Sequence, residues 1–290
     1  MAGALPSLPP TRRGGGAGGM WAAAPLLLLL LPLLLPLLPR LWRRGAAPLE
    51  PAGRAVLITG CDSGFGHLLA LRLHRLGFTV FAGCLCPGGE GARRLQREAG
   101  PGRLRVLRLD VTRARDVLAA KELVLSHLPE RGRIVFMSSI IAYFSLGNGI
   151  YSMTKAAIEK FCDALRLEMK KFGVQVCIIQ PGNYARSTKI QPPVSAEEIW
   201  NELSEEEKAV YNKEYVQERA NFFNSILREG STNGNEVVDA MVDALMSPAP
   251  KARYMVAKLK EKALVFVCAL FPTVVMDSVL SYALSKVKLA

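Results

Sequence analysis

Three polar residues, Ser139, Tyr151 and Lys155, have the types and the spacing needed for proton transfer. The four-residue interval between Tyr151 and Lys155 places both side chains on one face of a helix, where an ammonium group favours the ionised form of a phenol. A tyrosine titrates at about pH 10 when unperturbed, so a nearby cation is the simplest way to make it useful at neutral pH. Ser138 and Ser139 end a predicted strand, residues 132–139, and the hydroxyl of Ser139, or that of Ser138, could donate a hydrogen bond to a substrate carbonyl oxygen. These residues predict acid–base chemistry on an alcohol or a carbonyl compound.

A glycine-rich loop far upstream adds a second chemical element. Residues 59–66 follow the apolar run 55–59 and precede a helical pattern at residues 67–76, so strand, loop and helix come in that order. Glycines at 60, 64 and 66 permit a tight turn and let the backbone approach a pyrophosphate at the helix N-terminus. The spacing G-x-x-x-G-x-G departs from the common G-x-G-x-x-G and is a weak signal alone. Combined with the Tyr–Lys pair, it predicts a dinucleotide-dependent redox enzyme.

These residues, in this order, resemble the short-chain dehydrogenase/reductase family. Within it they are similar to the branch of retinol, 17β-hydroxysteroid, 11β-hydroxysteroid type 2 and 3-hydroxybutyrate dehydrogenases, over residues 54 to about 285. The resemblance implies that Tyr151 is the catalytic acid/base, that Lys155 lowers its pKa and binds the nicotinamide ribose, and that Ser139 polarises the carbonyl. It also implies a cofactor site, in which Asp110 meets the adenine and Pro181-Gly182 lies near the nicotinamide. The predicted cofactor-binding residues are Gly60, Asp62, Ser63, Gly64, Phe65, Gly66, Asp110, Tyr151, Lys155, Pro181 and Gly182.

The implied fold is α/β, a Rossmann-like doubly wound parallel sheet in three layers, with one central βα segment missing. Only 27 residues lie between Asp110 and Ser138, where the family has a helix, a strand ending in Asn-Asn-Ala-Gly and a long helix, or roughly two units of about 30 residues. The family's catalytic asparagine therefore has no counterpart here. We place the truncation between about residues 117 and 131, and expect residues 116–129 to form a helix that leads to a strand beside the first strand. Such a domain is predicted to be less stable and weakly active or inactive, with a noncatalytic truncated isoform as the alternative.

The first fifty residues have a composition of their own. Residues 1–20 are a polar tail, and residues 21–42 include 19 consecutive uncharged residues, 21–39, long enough to span a bilayer as a helix despite four prolines. We interpret residues 21–42 as a transmembrane or signal-anchor segment before a dehydrogenase domain at residues 54–285. A cleaved signal peptide is the rival interpretation, and the lack of acidic residues before Glu50 also fits a mitochondrial presequence. The leucine-rich stretch favours the endoplasmic reticulum membrane, with the mitochondrion as the alternative.

The formal net charge of +12 does not predict a nucleic-acid partner. Residues 1–54 hold six arginines against one glutamate, and the remaining positive charge is spread over the domain without interleaved aromatics. A basic cluster before the apolar stretch 263–284 consists of Lys251, Arg253, Lys258, Lys260 and Lys262. It predicts contact with anionic lipid headgroups, and a solvated basic face is the alternative interpretation. The histidines and cysteines lack a metal-binding pattern, so no metal is predicted. A homodimer would be weakened by the missing helix.

The predicted cofactor is NAD rather than NADP. Residues 79–85, the end of the second predicted strand, contain neither an acidic residue to bind a 2′-hydroxyl nor an adjacent arginine to bind a 2′-phosphate. Asp62 in the glycine loop would repel the 2′-phosphate of NADP. Residues 199–227 carry aromatics that could form an apolar lid or serve in ordinary helix packing. A lid and a membrane anchor favour a lipophilic alcohol, a steroid or a retinoid. The alternative is a mitochondrial 3-hydroxybutyrate dehydrogenase-like enzyme, whose carboxylate substrate would need a cation such as Arg186 or Lys189.

Overall fold

The computed structural model describes residues 47–125 and 132–284, with side chains to residue 281. Its strands are β1 (Ala55–Ile58), β2 (Thr79–Cys84), β3 (Leu104–Arg108), β4 (Arg133–Met137), β5 (Gln175–Pro181) and β6 (Arg253–Val256). The helices are α1 (Gly64–Arg75), α2 (Glu90–Ala99), α3 (Ala114–Leu125), α4 (Gly149–Met169), α5 (Ala196–Glu202), α6 (Glu205–Val210), α7 (Lys213–Arg228), α8 (Asn235–Met246), α9 (Leu259–Leu270) and α10 (Thr273–Leu284). Strands and helices alternate through most of this order, which is the sequence of elements that gives a parallel sheet covered by helices.

The strands form two parallel three-stranded sheets, with the orders β1-β2-β3 and β4-β5-β6. Ala55 pairs with Thr79 in the first sheet, and Arg133 pairs with Gln175 in the second. The parallel Rossmann-like arrangement was predicted, but a β4 strand paired beside β1 was not found: no ladder joins these two strands among the residues described. Leu57 of β1 is accordingly 38% exposed, whereas the central strands of a parallel sheet are normally buried on both faces.

Helices α1 and α8 join the two sheets through one hydrophobic core. Leu69 and Leu73 of α1 and Val237 of α8 are buried in the same cluster as Val80 of β2 and Ile179 of β5. Helix α8 also contacts all three strands of the second sheet. The two sheets are therefore held together by side-chain packing across α1 and α8.

A smaller core lies beneath α4 and completes the layering of the second sheet. Cys162 of α4 packs with Val176 and Ile178 of β5, and Phe136 of β4 lies against this cluster. The helix that carries Tyr151 and Lys155 is thereby fixed to the sheet that ends at Pro181.

The first sheet is covered less completely. Helix α3 contacts β3, but Leu118 and Leu125 of α3 are 56% and 53% exposed. The predicted helix at residues 116–129 thus begins earlier, at Ala114, and the end of the predicted segment lies outside the described residues.

Each of the three helices α5, α6 and α7 begins directly after a residue whose side chain caps its N-terminus. The side chains of Ser195, Ser204 and Asn212 accept hydrogen bonds from backbone N–H groups in the first turns of α5, α6 and α7. These caps divide the predicted lid into three helices.

The apolar stretch 263–284 also divides, because Pro272 follows the end of α9 and α10 begins after it. Across residues 47–125 and 132–284, no helix has both the length and the apolar character needed to cross a membrane. The predicted tail at residues 1–20 and the predicted anchor at residues 21–42 lie outside the described residues.

Candidate active site

The structure brings Ser139, Tyr151 and Lys155 together at the end of β4 and the start of α4. Ser139 follows the strand, and its hydroxyl is close enough to the Tyr151 phenol to act on the pKa of that phenol. The Lys155 Nζ atom lies 5.4 Å from the centre of the Tyr151 ring and donates to the Met137 carbonyl at 3.2 Å. This arrangement holds a hydroxyl, a phenol and an ammonium group close enough to act on one substrate oxygen.

The two adjacent serines have different environments. Ser138 is 2% exposed, and its hydroxyl donates to the Lys155 carbonyl at 3.4 Å, so it connects β4 to α4. The Ser139 hydroxyl donates to the Pro181 carbonyl at 3.2 Å and accepts from the Ile141 N–H at 3.3 Å. Of the two candidates, Ser139 is the one that the structure places beside Tyr151.

Burial controls the titration of this group of residues. It raises the pKa of Tyr151 above its usual value of 10.0, with the Ser139 hydrogen bond acting in the opposite direction. Burial also lowers the pKa of Lys155 below 10.5. In this arrangement both side chains are half-buried and the Lys155 ammonium is directed at the Met137 carbonyl, so the lowering of the Tyr151 pKa by Lys155 stays a prediction. Tyr151 is a neutral proton donor at pH 7.

The glycine loop fits a pyrophosphate. Gly60 and Gly64 have φ values of +68° and +61°, which favour glycine, and a Cβ on Gly66 would collide with the Gly60 carbonyl. Ser63 caps α1 with its backbone only, and the first turn of α1 contains no acidic residue. The free N–H groups and the dipole of α1 are therefore available to a phosphate. The Phe65 side chain is buried against the Tyr184 ring, with the ring centres 6.2 Å apart, so its predicted part in the cofactor site would fall to its backbone.

Two predicted acidic cofactor ligands lie at the carboxyl ends of the first sheet. The Asp62 carboxylate accepts hydrogen bonds from the N–H groups of Leu85 and Cys86, at 2.8 and 3.2 Å, immediately after β2. The Asp110 carboxylate, after β3, accepts from the Thr112 hydroxyl at 2.6 Å, and this contact lowers the pKa of Asp110. Both residues are anchored by local hydrogen bonds on the side of the sheet where the glycine loop lies.

The Pro181-Gly182 turn is tightly enclosed. A Cβ on Gly182 would collide with the Glu261 carboxylate, which accepts a hydrogen bond from the Asn183 N–H at 3.0 Å. The Cγ2 atom of Thr188 lies 3.7 Å from the Cβ position of Gly64, so the segment after Pro181 approaches the glycine loop. The structure thus places the turn between the glycine loop and Ser139. Sequence reasoning did not single out Glu261 or Thr188, whose contacts with this turn and with the glycine loop join segments distant in the chain.

A buried polar network supports the catalytic helix from behind. Gln180, 1% exposed and adjacent to Pro181, donates to the Glu159 carboxylate of α4 at 3.0 Å and to the Tyr143 hydroxyl at 2.9 Å. Arg253 of β6 donates to Glu159 at 3.0 Å and to Asp163 at 2.7 Å. Arg253 is therefore engaged with carboxylates and does not belong to the lipid-facing basic cluster predicted from sequence.

Comparison with known proteins agrees with this geometry. The short chain dehydrogenase family model matches residues 117–199. The mitochondrial D-beta-hydroxybutyrate dehydrogenase of Bos taurus is 31% identical over 281 residues, covering 76% of this chain and 81% of the relative. The chain belongs to the short chain dehydrogenase family. Two further relatives have similar sequence identities. Retinol dehydrogenase 7 of Mus musculus is 31% identical, covering 79% of this chain and 88% of the relative. The 17-beta-hydroxysteroid dehydrogenase type 6 of Rattus norvegicus is 32% identical, covering 69% of this chain and 79% of the relative.

Solved structures show a similar fold. A short-chain dehydrogenase from Streptomyces avermitilis superposes with a TM-score of 0.58 at 19% identity, covering 80% of this chain and 98% of the other. A short chain dehydrogenase/reductase from Burkholderia phymatum, solved in complex with NAD, gives 0.53 at 17% identity, covering 77% and 94%. As a member of the short chain dehydrogenase family, the protein is an oxidoreductase.

Proposed function

We propose that this protein interconverts an alcohol and a carbonyl group on a lipophilic substrate, a steroid or a retinoid, with NAD as cofactor. The observation that carries the proposal is the proximity of Ser139, Tyr151 and Lys155, where Ser139 also donates a hydrogen bond to the Pro181 carbonyl. A substrate oxygen that accepts hydrogen bonds from Ser139 and Tyr151 would lie on the side of the site reached by the glycine loop and Thr188.

The residues divide the chemistry as follows. Bound nicotinamide supplies the redox equivalent. The Ser139 hydroxyl leaves the Pro181 carbonyl and donates its one hydrogen bond to the substrate oxygen, which holds the reacting carbon in place. Tyr151 delivers its hydroxyl proton to that oxygen in the direction of reduction. Because burial raises the Tyr151 pKa, the phenol is in its donating form at neutral pH. In the direction of alcohol oxidation, the Lys155 ammonium must leave the Met137 carbonyl and approach the phenol to favour the ionised form.

NAD is favoured over NADP by the position of Asp62. Its carboxylate is fixed to the backbone after β2, the region that meets the adenosine ribose in a Rossmann-like fold. A 2′-phosphate there would face a negative charge, whereas a 2′-hydroxyl could donate to it.

The shortened centre of the domain accounts for the expected low activity. The alignment to the bovine relative spans 281 positions, but it covers only 76% of the 290 residues of this chain, or about 220 residues. About 60 aligned positions of the relative therefore have no counterpart here. The family model begins to match at residue 117, where the sequence suggests the join. We infer that the relatives' central strand and its helix are missing, which agrees with the separate sheets and the exposed face of α3.

The substrate is proposed from the relatives and from the surface around α9 and α10. The relatives named above are steroid, retinol and hydroxybutyrate dehydrogenases, so a small hydroxy acid is the second candidate. Exposed basic residues lie at the start of α9: Lys258, Lys260 and Lys262. Exposed apolar side chains lie along α9, α10 and the turn between them, and with the basic residues they could meet a lipid surface: Leu259, Phe266, Leu270, Phe271, Val274 and Val279. We propose a membrane-associated enzyme of the endoplasmic reticulum, with the mitochondrion as the alternative.

The test uses the full chain purified in detergent. NADH fluorescence should report saturable binding, lost in Gly66→Ala because the new Cβ meets the Gly60 carbonyl. Turnover of oestradiol, retinol and 3-hydroxybutyrate is then measured for the wild type and for Tyr151→Phe, which should lower kcat by about 10²–10⁴-fold. Tyr254→Phe, which removes a tyrosine hydroxyl from β6 outside the lid and the candidate active site, is the matched control and should retain activity. A folded wild-type protein that binds no NADH would refute the proposal.

A further inference from the structure

A cationic cavity lies between α7 and the segment of residues 184–193, which we call the arch. The cavity has a volume of about 810 Å³. Three of the residues that line it are basic, Arg186, Lys189 and Arg228, and none of the others is acidic. No ion pair to these three cations is found among the residues that the structure describes. Three unpaired positive charges around one cavity favour an anion inside it.

The rest of the lining is mainly apolar. Leu227, Pro192, Pro193 and Ala185 provide nonpolar surface beside the three cations. A ligand that satisfies both features has an apolar body and a negatively charged group. A fully neutral lipid would leave the cations without partners, and inorganic phosphate would leave the apolar surface uncovered.

The arch is tied to α7 at both ends, so the cavity is part of the folded framework. Near its start, the Asn183 side chain donates to the Ile226 carbonyl at 2.6 Å. At its far end, the Asn224 side chain accepts from the Val194 N–H at 3.0 Å and donates to the Val194 carbonyl at 2.8 Å. These bonds hold the arch over α7 without using any of the three cations.

The cavity also adjoins the candidate active site. Ala185 is four residues from Pro181, whose carbonyl accepts the Ser139 hydrogen bond, and four residues of chain span at most about 14 Å. Thr188, another lining residue, lies against Gly64 of the glycine loop. An elongated molecule can therefore reach from Ser139 into the cavity.

We propose that this cavity binds the anionic end of an elongated lipophilic alcohol, so that the substrate is a sulfate or carboxylate conjugate. The inference rests on the proposed function for the position of the reacting hydroxyl. The anionic group contacts the cations at 186, 189 and 228, the apolar body lies against the arch, and the hydroxyl reaches Ser139 and Tyr151.

The test compares oestradiol 3-sulfate with oestradiol, which share one body and one reacting hydroxyl and differ in the distal charge. Equilibrium dialysis against the full chain with NADH present should show that the sulfate binds at least about tenfold more tightly at low ionic strength, and that salt reduces this preference. The triple variant Arg186→Gln/Lys189→Met/Arg228→Gln should bring the two dissociation constants to within about twofold of each other. The matched control Lys160→Met/Lys170→Met/Lys213→Met removes three exposed cations elsewhere and should keep the preference.

The outcomes separate the cavity from the redox reaction. Equal binding of the two steroids, or binding of neither, overturns the proposal. An increase in the NADH dissociation constant of the triple variant, with an unchanged steroid preference, also overturns it and assigns the cations to cofactor phosphates. If the sulfate preference is present but neither steroid is oxidised, the anion site stands and the proposed function fails. The thermal midpoint of the triple variant, and the three single variants, show whether a lost preference reflects lost folding.

Discussion

Replacing Arg253 with Met should destabilise the domain measurably, because it leaves a buried carboxylate without its cation. The Glu159 side chain is 8% exposed and that of Arg253 is 34% exposed. Removing one partner of a fully buried ion pair costs about 3–5 kcal/mol. Here the partial exposure of Arg253, the remaining hydrogen bond from Gln180 to Glu159 and the ion pair of Asp163 with Arg166 reduce the loss. We expect the free energy of unfolding to fall by about 2–3 kcal/mol.

The measurement is urea unfolding of the full chain in detergent, followed by circular dichroism, with the thermal midpoint as a second observable. The expected change lowers the midpoint by about 4–12 °C, at about 2–4 °C per kcal/mol for a domain of this size. Arg97→Met is the matched control. It removes an arginine from an exposed pair with Glu90, whose side chains are 62% and 73% exposed, and should cost at most about 1 kcal/mol.

A second variant identifies the cause. Glu159→Gln removes the buried charge, so adding it to Arg253→Met should recover part of the lost stability. The reasoning from the buried carboxylate would be refuted if Arg253→Met lost no more stability than Arg97→Met. It would also be refuted if the double variant were less stable than the wild type by the full sum of the two single changes.

Three further predictions follow from the site. The tyrosinate absorbance difference between the wild type and Tyr151→Phe should titrate with a midpoint above pH 10, because burial raises the pKa of this phenol above its usual 10.0; a midpoint near pH 8 would contradict this. Asp62→Asn should reduce the ratio of NADPH to NADH dissociation constants by about 3–10-fold, measured by fluorescence titration, and an unchanged ratio would exclude Asp62 from cofactor choice. Iodoacetamide at pH 7.5 should alkylate exposed Cys86 far faster than buried Cys61 and Cys84, as mapped by mass spectrometry, because burial raises the pKa of Cys84 to about 11.

Local patterns predicted the parts of the site that lie close together in the chain. The Tyr151–Lys155 interval fixed a shared helical face, and the run before Ser139 correctly identified β4. The glycines predicted the strand–loop–helix unit, and α1 begins at Gly64 because the loop itself forms the first turn. Each of these features depends on neighbours within a few residues, so periodicity and turn chemistry were sufficient.

Contacts between distant segments could not be predicted in this way. Arg253 and Glu159 are 94 residues apart, and their pairing depends on β6 lying beside β5. From sequence, Arg253 looked like one more member of a basic cluster. Phe65 looked like part of a cofactor loop, but its direction is set by packing against Tyr184. Side-chain direction at such positions is decided by tertiary packing, which a single sequence does not encode locally.

The distribution of the site over the two sheets indicates which property a shortened centre, as proposed above, would affect. The glycine loop, Asp62 and Asp110 belong to the first sheet, whereas Ser139, Tyr151 and the turn at Pro181 belong to the second, which has helices on both faces and its own buried network. Each half retains its local hydrogen bonds, and packing through α1 and α8 is the main connection between the halves. Loss of a strand between them would change the position of the cofactor relative to the reacting oxygen more than it would change either set of contacts. A misplacement of about 1 Å can cost about 10²-fold in rate, so we expect NADH to bind with ordinary affinity while turnover remains slow.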